Sequence, residues 1–228
     1  MNVSFRILLF IMISPGALGT PGTAAAHEWA GLRVANAVGE GTLQVESKGR
    51  TWQVGGLKSG EVSALRRLKP GSHRLTFSVD GMLKREIRLS LKPSQCITLV
   101  AHMVVAPRVG MELPRVQINV LKLESAPMAA GRVATVVDVG VQARRFLEIR
   151  QVGASWSPIA LRRLEPQRFY IQQHRGYLPL RHGQQRLASM PVFEQGHHVL
   201  VLYENGQGQL SSISFLDRPW PTSDVPMP

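Results

Sequence analysis

Ala64-Leu65-Arg66-Arg67-Leu68-Lys69-Pro70 returns as Ala160-Leu161-Arg162-Arg163-Leu164-Glu165-Pro166, with six of seven positions identical and a displacement of 96 (160 − 64). Self-similarity of this kind points to two copies of one structural unit. After each copy comes an extended segment, residues 72–79 or 168–174, and then an apolar strand, Cys96-Ile97-Thr98-Leu99-Val100 or His198-Val199-Leu200-Val201-Leu202. The opening strand of the first unit, Leu32-Arg33-Val34-Ala35-Asn36-Ala37, corresponds to residues 133–139 in the second. Identical apolar and turn residues should impose one strand register, so the two heptapeptides are predicted at equivalent positions. The expected domains are residues 27–106 and 128–219, joined by a linker at 107–127 that Pro107, Pro114 and Pro127 punctuate. Within that linker Val116-Gln117-Ile118-Asn119-Val120-Leu121 alternates like a strand able to complete either unit. The proline-rich end, 220–228, is expected to be disordered.

The pattern throughout is that of strands. Residues 32–37, 42–46, 50–54 and 74–79 alternate apolar and polar, as a strand with one buried face does. Asp80-Gly81 precedes the run Ile87-Arg88-Leu89-Ser90-Leu91 and suits a hairpin turn, because both residues tolerate positive φ. Glu204-Asn205-Gly206-Gln207-Gly208, between two apolar runs, predicts another. No window has the period of an amphipathic helix of normal length, so the fold class is all-β: two tandem β-sandwich domains, immunoglobulin-like or jelly-roll-like.

Residues 1–26 have the composition of a secretory signal peptide. Arg6 precedes the apolar run Ile7-Leu8-Leu9-Phe10-Ile11-Met12-Ile13, and Ala24-Ala25-Ala26 places small residues where a signal peptidase requires them. The expectation is cleavage after Ala26 and a soluble, exported, periplasmic chain. The apolar run is shorter than the roughly 20 residues that span a bilayer. A single Cys96 excludes an intramolecular disulfide framework and any zinc site that needs two thiols, and is most simply a small buried hydrophobe.

Catalytic motifs are sparse. The chain has no His-Glu-x-x-His and no glycine-rich phosphate loop, and Gly153-Ala154-Ser155-Trp156-Ser157 lacks the second glycine of a nucleophile elbow. His197 and His198 are adjacent on a predicted strand, so they point to opposite faces and cannot chelate one metal together. His174 and His182 lie among arginines, which opposes a cation. The reading is therefore no catalytic residues, no metal site and no cofactor.

Charge is the chemical feature that stands out. The chain carries a formal +12, with 27 Lys+Arg against 15 Asp+Glu. Between Arg162 and Arg186 stand Arg163, Arg168, Arg175 and Arg181, with Tyr170 and Tyr177 and a lone carboxylate, Glu165. Arginine forks bind carboxylates bidentately and aromatic faces stack on sugar rings. Arg162, Arg168, Arg175, Arg181, Tyr170 and Tyr177 are accordingly the candidate binding residues, for an anionic polysaccharide, an acidic protein or anionic lipid. Net charge alone would suggest nucleic acid, but export argues against it.

Leu32-Arg33-Val34-Ala35-Asn36, the block Leu68-Lys69-Pro70-Gly71-Ser72, the run from Leu91-Lys92-Pro93 to Leu99-Val100, and the closing Gln195-Gly196-His197-His198 segment with Gly206-Gln207-Gly208 and Arg218-Pro219 form a frame. That frame resembles the AlgF-like family of periplasmic alginate O-acetylation proteins, whose related subunits accompany bacterial cellulose acetylation systems. The resemblance implies an exported, non-catalytic accessory or adaptor subunit of exopolysaccharide O-acetylation. Its partners would be a membrane-bound O-acyltransferase and periplasmic SGNH-type acetyltransferases. The sequence departs from the family at His27-Glu28-Trp29-Ala30 and in the linker strand. An exported carbohydrate-binding or cell-surface module, and an enzyme with a spatially assembled site, are the competing classes.

Overall fold

The structure, a computed structural model, describes residues 29–48, 52–81, 83–106, 115–125, 132–151, 155–171, 176–187, 189–192 and 194–217. The expected signal peptide and its cleavage point, the three linker prolines and the terminal segment 220–228 lie outside the described residues, as does Arg175. Among the described residues there is no helix.

The first sandwich is built from β1 (Ala30–Ala37), β2 (Thr42–Ser47), β3 (Gln53–Lys58), β4 (Arg66–Leu68), β5 (Gly71–Val79), β6 (Leu83–Leu91), β7 (Cys96–Ala106) and β8 (Arg115–Glu124). Its sheets run β4-β1-β7-β8 and β3-β2-β5-β6. Asp80 (φ 48°) and Gly81 (φ 72°) make the β5–β6 turn, whose two positive φ angles match the twist of the flanking strands. The inward faces of the two sheets supply Leu32, Val34, Leu43, Leu75, Phe77 and Leu99 to one apolar core. Cys96 is buried, as expected of a small hydrophobe. The linker strand, β8, pairs with β7 from Ile97↔Glu124 to Ala106↔Arg115 and so completes the first sandwich. The strand expected at 50–54 begins instead at Gln53 and runs to Lys58.

The second sandwich contains β9 (Arg132–Asp138), β10 (Arg144–Arg150), β11 (Trp156–Arg162), β12 (Gln167–Tyr170), β13 (Tyr177–Leu178), β14 (Leu180–His182), β15 (Gln185–Arg186), β16 (Met190–Pro191), β17 (Gly196–Glu204) and β18 (Leu210–Asp217). Its sheets are β12-β9-β17-β18 and β11-β10-β14-β15, with β13 and β16 paired apart. The plan of the first unit recurs: β1 lies parallel to β7, and β9 parallel to β17. The inner sheets of the two sandwiches pack on each other, through Ala35, Ala37 and Val100 on one side and Val137, Val199 and Val201 on the other. Every residue of β1 is buried, because its second face meets the neighbouring sandwich. This corrects the reading of residues 32–37 as a strand with one buried face: Arg33 and Asn36, the polar positions of that alternation, are themselves buried, because the second face of β1 is covered as well.

The repeat is real, but the heptapeptides do not mark it. Asn36 Oδ1 accepts the Val38 N–H at 3.0 Å, and Asp138 Oδ1 accepts the Gly140 N–H at 2.9 Å. Glu61 N–H donates to Lys58 O and Glu165 N–H to Arg162 O, around Gly60 (φ 86°) and Leu164 (φ 63°). Equivalent turn residues are thus 104 apart (164 − 60), and the heptapeptides, 96 apart, are eight positions out of step. Ala64–Pro70 supplies β4, whereas Ala160–Pro166 supplies the end of β11 and the following turn. The matching residues occupy different slots: Leu68 ends β4, whereas Leu164 stands in the positive-φ turn after β11. Register is set instead by a buried side-chain acceptor at the end of the first strand and a positive-φ turn after the third.

Candidate functional site: a basic and aromatic sheet face

β10 alternates strictly. Arg145, Leu147 and Ile149 are buried, which leaves Arg144, Phe146, Glu148 and Arg150 on the outer face. Antiparallel pairing sets Arg162 of β11 opposite Arg144, Ala160 opposite Phe146 and Trp156 opposite Arg150. On the other side Arg181 of β14 lies opposite Glu148, and Arg186 of β15 opposite Arg181. One open sheet face therefore presents arginines from all four strands around an aromatic centre. At about 4.8 Å between strands and 3.4 Å per residue, the plate is about 14 Å wide and 20 Å long.

Its electrostatics follow from the pairings. Arg181 donates to both Glu148 oxygens, at 2.6 and 3.0 Å, and its guanidinium lies 4.3 Å from the Trp156 ring centroid. The hydrogen bonds from Arg181 hold the Glu148 carboxyl below its ordinary pKa and raise that of Arg181, so both remain ionised and neutralise one another. Arg150 lies over the same indole at 5.2 Å. Trp156 is thus committed to fixing two guanidinium planes. Phe146, 64% exposed beside small Ala160, has its ring open to solvent. Among the described residues Arg144 and Arg186 have no carboxylate partner, and Arg162 has only a 3.9 Å contact with the exposed Glu165.

The plate is anchored from beneath. Arg145 is buried; its Nε donates to Asp138 Oδ2 at 2.7 Å and its Nη2 to Glu204. Glu204 also accepts the Val141 N–H, which ties the β9–β10 connection to the end of β17. His182 donates a ring N–H to Phe146 O at 2.8 Å, locking β14 against β10.

The sequence-predicted binding residues do not form one face. Arg162 and Arg181 belong to the plate. Arg168 and Tyr170 sit on β12, in the inner sheet; Arg168 donates to Glu124 O of the first sandwich at 3.4 Å, and Tyr170 is 69% exposed. Tyr177 is exposed on the small β13–β16 pair. A window along the chain collected these residues, whereas the sheet sorts them by strand and parity. The residues it missed, Arg144, Phe146, Arg150 and Trp156, were legible in the alternation of β10 and in the β10–β11 hairpin register. No family model matches the chain, and no curated protein matches it.

Proposed function

We propose that the protein is an exported accessory subunit of exopolysaccharide O-acetylation that holds an acidic polymer on the outer sheet of its second sandwich. The observation that carries this reading is the open sheet face of Arg144, Arg150, Arg162 and Arg186 around exposed Phe146. An extended uronate chain offers carboxylates at regular intervals for guanidinium forks, and ring faces for an aromatic side chain. A plate rather than a pocket suits a long polymer, which must slide past the groups that modify it. The charge favours a polyuronate of the alginate kind over neutral cellulose. The membrane-bound O-acyltransferase and the SGNH-type acetyltransferases implied by the AlgF-like frame would supply and transfer the acetyl group.

The test is genetic. Deletion should lower the acetyl content of the secreted polymer, and the wild-type gene should restore it. A variant with Arg144→Gln, Arg162→Gln and Arg186→Gln together should not. Full restoration by that variant at wild-type abundance would remove the plate from the function. Polymer binding with unchanged acetylation on deletion would favour a general carbohydrate-binding module instead.

A further inference from the structure

The face that the inner sheet of the second sandwich turns towards the first carries a polar row across all four strands. Arg168 on β12 lies opposite Thr135 on β9, and His197 on β17 opposite Asp217 on β18. Parallel pairing makes Thr135 and His197 diagonal neighbours, since Val133 faces His197 and Thr135 faces Val199. Thr135 Oγ1 lies 2.6 Å from His197 Nε2, and His197 Nδ1 lies 3.1 Å from Asp217 Oδ2. A carboxylate can only accept, so Nδ1 carries the proton and Nε2 accepts the threonine O–H. Arg33 of the first sandwich closes the row: its Nη1 is 3.9 Å from Asp217 Oδ1 and donates to Leu216 O.

Thr135, His197 and Asp217 are all buried, yet a cavity of about 70 Å³ opens on them, bounded also by Thr98, Glu124 and Arg168. A water occupies about 30 Å³ of liquid, so this space suits two waters or one two-carbon acyl group. Here a hydroxyl, a base, an orienting carboxylate and a cation converge on open space, the arrangement that nucleophilic acyl chemistry requires.

We propose that this row is an acyl-transfer site for small activated carboxylic esters of the acetyl class. Thr135 Oγ1 attacks the carbonyl carbon while His197 Nε2 takes its proton. The carbonyl π electrons move onto oxygen, where the Arg168 cation faces the developing charge. Collapse breaks the ester C–O bond, and the departing alcohol takes the proton from His197, leaving acetate esterified to Thr135. Water, deprotonated by the same imidazole, then hydrolyses that ester to release acetic acid and free Thr135. Asp217 is a positioning residue, holding the productive tautomer and orientation of His197. The inference is independent of the polymer plate; only the replacement of water by a sugar hydroxyl would rest on the proposed function.

The experiment uses p-nitrophenyl acetate with the purified chain. Wild type should release p-nitrophenolate faster than buffer, and rapid acid quench should place the mass of one acetyl group on the peptide containing Thr135. Thr135→Val, which keeps the shape and removes the hydroxyl, should lower the rate about a hundredfold or more, as should His197→Gln. Thr135→Ser should retain turnover and become acetylated in its place, a result that domain pinning does not predict. Asp217→Asn should lower the rate while Thr135 remains the acetylated residue, and Asp217→Glu should recover part of it, because the carboxylate acts only by orienting the imidazole. Absence of turnover by folded wild type, acetylation confined to lysines, or a Thr135→Val rate equal to wild type would overturn the proposal and leave the polymer plate untouched.

Discussion

Acid should weaken this protein through the imidazoles whose pKa burial lowers, His198 and, above all, His102. His102, on β7 at the domain junction, is 2% exposed, and its Nδ1 has no hydrogen-bond partner among the described residues. Loss of hydration on burial is the main cause that lowers its pKa from 6.5 to about 4; the Met103 backbone opposes this, and Arg163 adds a smaller lowering. A folded pKa below the unfolded value means that the native state favours the neutral ring. Its stabilising contribution is therefore complete above pH 6.5, is lost as pH falls towards 4, and is gone below that. A 2.5-unit difference (6.5 − 4) corresponds to about 3 kcal/mol in total, of which about 2 kcal/mol has gone by about pH 5. Urea unfolding near pH 7.5 and at about pH 5 should show that His102→Met loses about 2 kcal/mol less than wild type over this interval. Equal losses in the two proteins would refute the assignment, whatever the absolute stabilities.

Three other substitutions test the framework. Arg145→Leu strands Asp138 and Glu204 without their buried cation and should cost about 3–5 kcal/mol in urea unfolding; a loss near zero would mean that the cluster rearranges. At Gly39, φ is 88° and an added Cβ would stand 2.7 Å from Glu204 O of the other sandwich. Gly39→Ala should therefore lose at least about 1 kcal/mol, read as a lower thermal midpoint. Ser94→Gly relieves a non-glycine residue at φ 61° in an exposed turn, and should raise stability by up to about 1 kcal/mol.

Much of the fold is legible along the chain because strands with one covered face alternate; β5, β10 and the Asp80-Gly81 turn are examples. The inner strands were harder, since burial on both sides erases alternation and makes Val199-Leu200-Val201-Leu202 uninformative about which face meets which sheet. The heptapeptide repeat misleads because identical residue types fill different slots, β4 in one unit and the end of β11 with its turn in the other, while Asn36 and Asp138, chemically similar and buried, carry the true register. The plate is half legible, because cross-strand rows join residues such as Arg150 and Arg181 that a linear window separates. Arg145 shows the limit of reading by residue type, since an arginine at an inward position is stable only with carboxylates from β9 and β17 around it. His197 and Asp217 could have been paired by counting outward from the turn between Glu204 and Leu210, whereas Thr135 needs the parallel β9–β17 register, which no local signal encodes.

Calorimetric titration of the protein with a polyuronate oligosaccharide tests the central claim most directly. Binding should be measurable at about 0.1 M salt and fade at about 1 M, where the Debye length shrinks from about 10 to 3 Å. It should weaken in steps as Arg144, Arg162 and Arg186 are changed to Gln one after another, because exposed single pairs contribute only about 0–1 kcal/mol each. A neutral glucan oligosaccharide of the same length should bind far more weakly. Association that ignores salt, or that survives all three substitutions unchanged, would contradict the assignment of the plate as the polymer-binding surface.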